Sequence, residues 1–440
     1  MKLYIDEYLK LRFASYSNEW ESHKLGDILT FYSANSFSRE KLNYESGNVK
    51  NIHYGDIHTK FPTILSISGN KDVPFINNDI DLSKYKDNQY LQEGDLIIAD
   101  ASEDYADIGK AIEVKDINDE KVLAGLHTIL ARDEKNITIN GFKGYLFLTE
   151  DLKTNIKRIA NGISVLGISK NNLSKLTVNI PNKNEQQKIV DFISSIDKKI
   201  ELLEDKHTYY QDFKKYLMQQ IFAQKLRFDN YNDDWKETKI KNIAEVVGGG
   251  TPKTEIDSYW NGDIKWYTPS EIGKTKYIKD SERNITEEGL KNSSAKLLPK
   301  NTILLSSRAT VGEVSIALTE CSTNQGFQSL ITKNNVDTEF IYYLISNIKN
   351  EFLRRSSGST FLEISKNEVK KIKINIPSLN EQKEIGKVLS NVDKKIFYLE
   401  DNINKTQEFK KGLLQQMFVY MHLILNFCAK ICCIKYFLKS

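Results

Sequence analysis

The sequence predicts an α+β chain in which one domain-plus-helix unit occurs twice, and three observations carry that prediction. Residues 181–222 match residues 377–418 with 21 of 42 aligned positions identical at a constant offset of 196. Both copies place apolar residues at heptad spacing. The segments ahead of them align at their ends and diverge in the middle. The expected fold is therefore two mixed α/β domains separated by two long helices, with a pseudo-twofold internal repeat.

In chain order, the first domain spans 1–180. Short apolar runs flanked by turn residues, such as Leu96 to Ala99, read as strands. An Ile-Pro dipeptide, where proline removes a backbone donor and disfavours helix before itself, marks the boundary to the first helix at 181–222. Its apolar rows are Ile189, Ile196, Leu203, Tyr210 and Leu217, with Ile193, Ile200 and Ile221 alongside. The second domain spans 223–376, with Ile303 to Leu305 as a matching strand run. The second helix, 377–418, repeats the rows at Ile385, Val392, Leu399 and Leu413, with Leu389, Ile396, Ile403 and Met417. Each helix is about 60 Å long at 1.5 Å per residue. An apolar tail, 419–440, has no counterpart in the first copy.

The offset between the domains is 215 at Leu11, Arg12, Phe13 and Trp20 against Leu226, Arg227, Phe228 and Trp235. It falls to 207 at Leu91 and Leu96, to 203 at Gly109, and to 196 at Gly162 and Ile168 to Asn171. One scaffold used twice with altered interior loops implies two different targets.

Bulk charge does not identify a partner. The formal net charge is +3, with 19 basic against 23 acidic residues in 21–180 and 21 against 17 in 236–376. Any DNA contact must come from local clusters. Four cysteines, three of them Cys428, Cys432 and Cys433, fit neither a disulfide framework nor a paired zinc motif and read as reduced thiols of a cytoplasmic protein. Asp6 and Glu7 interrupt any signal-peptide core, and Asn426, Lys430 and Lys435 interrupt the tail as a membrane span.

The plan of variable domain, helix, variable domain, helix carries the Ile-Pro, Asn-Glu-Gln and Asp-Lys-Lys-Ile motifs. With Gly249-Gly250-Thr251-Pro252, Tyr259 to Ile264, and Gly358-Ser359, it resembles the specificity subunit of type I restriction-modification systems. The resemblance covers the chain up to Phe418. It implies a non-catalytic subunit in which each domain is a target recognition domain for half of a bipartite gapped DNA site. The helices would form an antiparallel coiled coil that sets the gap. Partners implied are double-stranded DNA, two modification (methyltransferase) subunits and restriction (translocase/nuclease) subunits. S-adenosylmethionine, ATP and Mg would be used by those partners, with no cofactor bound by this chain. The atypical tail departs from the family's pattern.

The residues themselves offer little catalytic chemistry. Gly248 to Thr254 lack Walker spacing, and Pro252 removes an amide that a phosphate cradle would use. His53 and His58 form no helical zinc pair. Base edges and phosphates are instead read by Arg, Lys, Asn, Gln, Ser and Thr. In the second domain these cluster as Thr251, Lys253 and Thr254; as Ser306, Ser307, Arg308 and Thr310; as Asn324 and Gln325; and as Arg354, Arg355, Ser356, Ser357 and Ser359. In the first domain the candidates are Lys50, His53, Tyr54, Lys60 and His127, with Ser102 near the position of Arg308 and acidic Asp100, Glu103, Asp104 and Asp107 around it. Solvated loops have the same composition. The repeated helix residues Glu185, Gln186, Asp197, Lys198 and Lys199, with Glu381, Gln382, Asp393, Lys394 and Lys395, read as two equivalent docking sites for the modification subunits or as a solvated face. The alternatives to DNA reading are a protein-interaction scaffold and a stand-alone nuclease.

Overall fold

The computed structural model describes residues 3–5, 11–358 and 362–418. Ser359, the tail from 419 and its three cysteines lie outside the described residues. The chain divides into two compact units: Met1–Leu202 with Ile403–Ser440, and Leu203–Asn402.

In the first unit a five-stranded sheet runs Thr30–Ser33, Thr128–Arg132, Leu96–Ala99, Ala111–Lys115, Ile64–Ser66. All its neighbours are antiparallel except the last pair, Ala111–Lys115 with Ile64–Ser66. Leu96, Ile97, Ile98 and Ala99 are each fully buried, as a central strand covered on both faces requires. A second sheet orders Lys121–Ala124, Val49–Ile52, Phe75–Ile76 and Leu42–Asn43.

The second unit repeats this plan. Its five-stranded sheet runs Ala244–Gly248, Gln328–Thr332, Ile303–Leu305, Val314–Ala317, Tyr277–Ile278, again with a parallel final pair. Beside it lie Arg283–Ile285, Trp260–Tyr267 and Cys321–Thr323. Burial pushes the Cys321 thiol up to about 12, leaving it protonated and inert. In both units a two-stranded ribbon leads into a long helix: Glu21–Lys24 with Thr177–Ile180, and Lys236–Lys239 with Lys373–Ile376.

The helices span Lys183–Phe222 and Leu379–Phe418. Asn182 and Ser378 cap them, accepting from the amides of Glu185 and Glu381. The heptad rows are divided between cores. The first unit buries Ile189, Ile193, Ile196 and Ile200 together with Leu413, Leu414, Met417 and Phe418. The second buries Ile385, Leu389 and Val392 together with Leu217 and Ile221. Each unit thus contains the first half of the helix that follows it and the last half of the other.

Close packing of helix on domain uses one glycine per unit, on opposite partners. A Cβ on helix residue Gly386 would stand 2.8 Å from Asp337 Oδ1. In the first unit the helix carries Val190, and the domain residue Gly141, at φ 90°, makes the room.

Candidate nucleic-acid interface

In the second unit, loops leave the C-terminal ends of Ala244–Gly248, Trp260–Tyr267, Ile303–Leu305 and Cys321–Thr323 and meet one another. Gly250 N donates to Thr323 O at 2.8 Å, Ser307 N to Gly326 O at 2.7 Å, and Asn324 N to Tyr267 O at 3.0 Å. A Cβ on Gly249 would lie 2.0 Å from Asn324 O, so this glycine serves loop contact. Thr251 Oγ1 donates to Gln325 Oε1 at 2.5 Å, and Asn324 Oδ1 accepts from Gly326 N. Thr310 Oγ1 reaches Ser306 Oγ and Pro269 O.

Arg308 tops a tight turn in which Ser306 Oγ and Thr310 N both donate to its carbonyl and Ala309 takes φ 60°. Its guanidinium is 44% exposed and pairs with Glu363 at 2.9 Å. Glu363 also bridges Ser357, which joins that loop to the cluster. Thr251, Arg308, Thr310, Asn324, Gln325 and Ser357 thus converge, with Lys253 and Thr254 exposed on the first loop.

One expectation for this unit needs correction. Ser307 is buried and contributes its backbone; its Oγ has no partner among the described residues. Arg354, 76% exposed, pairs with Glu351, and Arg355 with Glu351 and Glu368, exposed pairs of the same weak kind as Arg308 with Glu363.

In the first unit the corresponding loops assemble different chemistry. Asp100 N donates to His127 O, as Ser307 N does to Gly326 O. Tyr54 is surrounded by imidazoles, with His53, His58 and His127 at 4.7, 5.7 and 5.3 Å between ring centroids. His127, at φ 54°, lies 3.6 Å from Asp100 and is half exposed. Burial raises the Asp100 carboxyl above its ordinary range, partly offset by His127; burial, then Arg39, lowers His53.

His53 itself is buried and caps the helix Tyr54–Thr59, Nδ1 accepting from Gly55 N, which removes it from the surface. Lys50 is likewise no surface residue: it is buried, pairs with Glu120 and donates to Ile67 O and Asn70 O. Lys60 is exposed, 4.6 Å over the Tyr44 ring. The place of Arg308 is held by Ala101, not Ser102. Arg308 faces Glu363, whose counterpart at offset 196 is Gly167, and Gly167 faces Ala101.

The repeated helix residues are internal. Glu185 is 1% exposed and accepts from Arg12 Nε and Nη2 at 2.6 and 2.7 Å and from Trp20 Nε1 at 3.3 Å. Glu381 takes Arg227 and Trp235 identically, at 3.0, 2.9 and 3.3 Å. Gln186 and Gln382, also buried, donate to Pro181 O and Pro377 O and accept from Ile139 N and Asp337 N. Asp197 binds Tyr145 and Lys410, and Asp393 binds Tyr343 and Lys214. Burial, then the facing aspartate, raises both tyrosine hydroxyls. The four buried Glu and Gln side chains therefore cannot dock a partner, and the two aspartates are satisfied within the chain. Lys198, Lys199, Lys394 and Lys395 are exposed.

Among the described residues no three His, Cys, Asp or Glu side chains are grouped to hold a metal, and no helix is long and apolar enough to cross a membrane.

Two copies of one scaffold, with unlike side chains gathered on equivalent loops, define a tandem recognition protein. A model of the type I restriction modification DNA specificity domain matches residues 17–208 and 232–407, and the chain belongs to that family. It is 43% identical over 189 residues to the type I restriction enzyme MjaIX specificity subunit of Methanocaldococcus jannaschii, covering 42% of this chain and 43% of the relative. With the EcoR124I/EcoR124II specificity subunit of Escherichia coli it shares 27% over 213 residues, 47% of this chain and 49% of the relative. The chain thus matches about half the length of these two relatives. The putative MjaX specificity subunit of M. jannaschii matches at 24% over 93% of this chain and 95% of its own length. Among solved structures, the S subunit of a type I system from M. genitalium aligns with a TM-score of 0.54 and 16% identity, covering 93% of this chain and 99% of its own. A chain from a study of assembly and conformational transition of the type I R-M system aligns at 0.56 and 16%, covering 90% and 97%.

Proposed function

We propose that each unit reads one half of a bipartite, gapped duplex DNA site. One observation carries this: equivalent strand ends present Arg308 and Gln325 in one unit and Asp100 and His127 in the other, with Thr251 and Tyr54 beside them. A shared scaffold supplies position, and unlike loops supply unlike base preferences.

The long helices form an antiparallel coiled coil whose length sets the gap between the half-sites. The division of the heptad rows supports this, since each unit pairs the first half of one helix with the last half of the other. Two modification subunits dock on the outer helix faces. Phe213 and Phe409, equivalent at offset 196, are both exposed there, with Lys198, Lys199, Lys394 and Lys395. Exposed aromatics flanked by lysines suit a protein partner better than bulk water. Restriction subunits join that cytoplasmic complex, and S-adenosylmethionine, ATP and Mg serve those partners.

The test is methylation mapping in cells with and without the gene, partner subunits being active. A gapped adenine-methylated sequence is expected to disappear on deletion; its persistence refutes the reading. A protein scaffold would show none of the steep salt dependence that displaced phosphate counterions produce.

A further inference from the structure

The loop bearing Lys253 hangs from two indoles. Trp266 Nε1 donates to Gly250 O at 2.9 Å and Trp260 Nε1 to Lys253 O at 3.2 Å, and the rings meet edge to face at 5.2 Å. Arg283 lies on the same pair. Its guanidinium carbon is 3.6 Å from the centroid of Trp260 and 5.7 Å from that of Trp266. Strand pairing places Arg283 opposite Trp266, one residue from the strand end where the loop after Tyr267 departs.

Residues 203–402 contain five arginines. Arg227, Arg308, Arg354 and Arg355 are each paired with a carboxylate, whereas Arg283 pairs with none among the described residues. It is also exposed. Stacking on Trp260 fixes the plane of the guanidinium through the ring's quadrupole and leaves its edge N–H donors to solvent. Sequence reading gave no sign of this, because Arg283 sits between Glu282 and Asn284 with nothing to mark it until the strands pair.

A pre-ordered, exposed and unneutralised cation, stacked on the indole that holds the backbone of the exposed Lys253, suits an anion with several acceptor oxygens. Its place decides which anion. Arg283 stands on a strand beside the loop cluster and not on a loop tip, where a duplex presents its backbone once the loops meet base edges.

We propose that Arg283, on the indole that anchors the loop of Lys253, grips a backbone phosphate of duplex DNA and so sets the register of the second unit's loops over the bases. The inference rests on the reading of that unit as a DNA-recognition domain.

The experiment uses the full chain assembled with its modification subunits and a duplex carrying the sequence that complex methylates. Arg283→Ala and Arg283→Gln are compared with the unaltered chain for affinity across a salt series; the glutamine keeps a planar group over Trp260 without the charge. Both variants are expected to bind roughly tenfold or more weakly, with the salt slope reduced by about 0.9 and the methylated sequence unchanged. Binding by Arg283→Gln within twofold of the unaltered complex overturns the proposal. So does loss of discrimination at a single base pair with an unchanged salt slope, which would make Arg283 a base reader. If the unaltered complex shows no salt-dependent DNA binding, the recognition reading itself falls and this inference with it.

Discussion

Phe418 lies edge-on to Trp20, ring centroids 5.8 Å apart at 85°, so the last described residue of the chain closes the core of the domain at its beginning. In the second unit Phe222 meets Trp235 in the same way, at 6.4 Å and 79°. The repeat is thus wired reciprocally, each domain core being finished by the end of the helix that does not follow it.

A chain ending after Phe418 is expected to melt and assemble like the full chain. One ending after Gly412 loses Leu413, Leu414, Met417 and Phe418 from the first core. Each buried side chain contributes about 2–4 kcal/mol, and the sum approaches the whole stability of a domain, roughly 5–15 kcal/mol. Hydrogen exchange is expected to show the strands Leu96–Ala99 and Thr128–Arg132 unprotected in the shorter chain. Protection like that of the full chain would show that the helix end is dispensable.

The repeated Asn-Glu-Gln motif leads to a second prediction. Glu185→Ala strands the buried ends of Arg12 and Trp20, and Glu381→Ala does the same to Arg227 and Trp235. Each change leaves a buried indole N–H and an arginine without their acceptor, which destabilises the unit that holds them. Urea unfolding should register each loss in its own unit. Full stability combined with weakened binding of the modification subunit would restore these glutamates as docking residues.

What was legible in the sequence divides along the same line. Heptad spacing and the Ile-Pro boundaries located the two long helices, because each reports on local geometry. Identity between copies showed that Glu185 and Asp197 are constrained but not by what. A partner's surface and an internal arginine select the same side chain, and only burial separates them. The loop cluster was partly legible, since Arg308, Gln325 and Thr251 are residue types that read DNA. Lys50 and His53 were misread for the opposite reason. A lysine on the buried strand Val49–Ile52 and a histidine capping the next helix look like loop cations until the sheet forms. Glu363 and Arg283 could not be found, because strand and bridge pairing alone brings them to the site.

Arg308 and Glu363 are both well exposed, so their pair adds only about 0–1 kcal/mol to stability. Any strong effect of altering them must therefore be on recognition. Arg308→Ala is expected to leave the melting temperature within a degree or two while relaxing one base pair of one half-site, a discrimination of about 1–3 kcal/mol. Glu363→Gln removes the partner that orients the guanidinium and should blur the same position more mildly. Methylome sequencing of each variant decides. An unchanged motif in both would take Arg308 out of base reading.

Asp100 supplies a pH test for the first unit. Burial raises its carboxyl above the ordinary 3.8, with His127 and Lys170 opposing. A carboxyl whose folded pKa is raised holds its proton more tightly folded than unfolded. Its contribution to stability is complete below 3.8 and is lost as the pH climbs through the folded value. Asp100→Asn, which cannot ionise, should match the unaltered chain in the acid range and become the more stable of the two toward neutrality. The comparison needs only urea unfolding from roughly pH 3.5 to 7.5. Replacing His127 by Ala removes the imidazole that opposes the rise at Asp100 and should steepen the loss in the unaltered Asp100 background. Parallel stability curves for Asp100→Asn and the unaltered chain throughout that range would mean that the carboxylate is as well solvated in the folded loop as in the open chain.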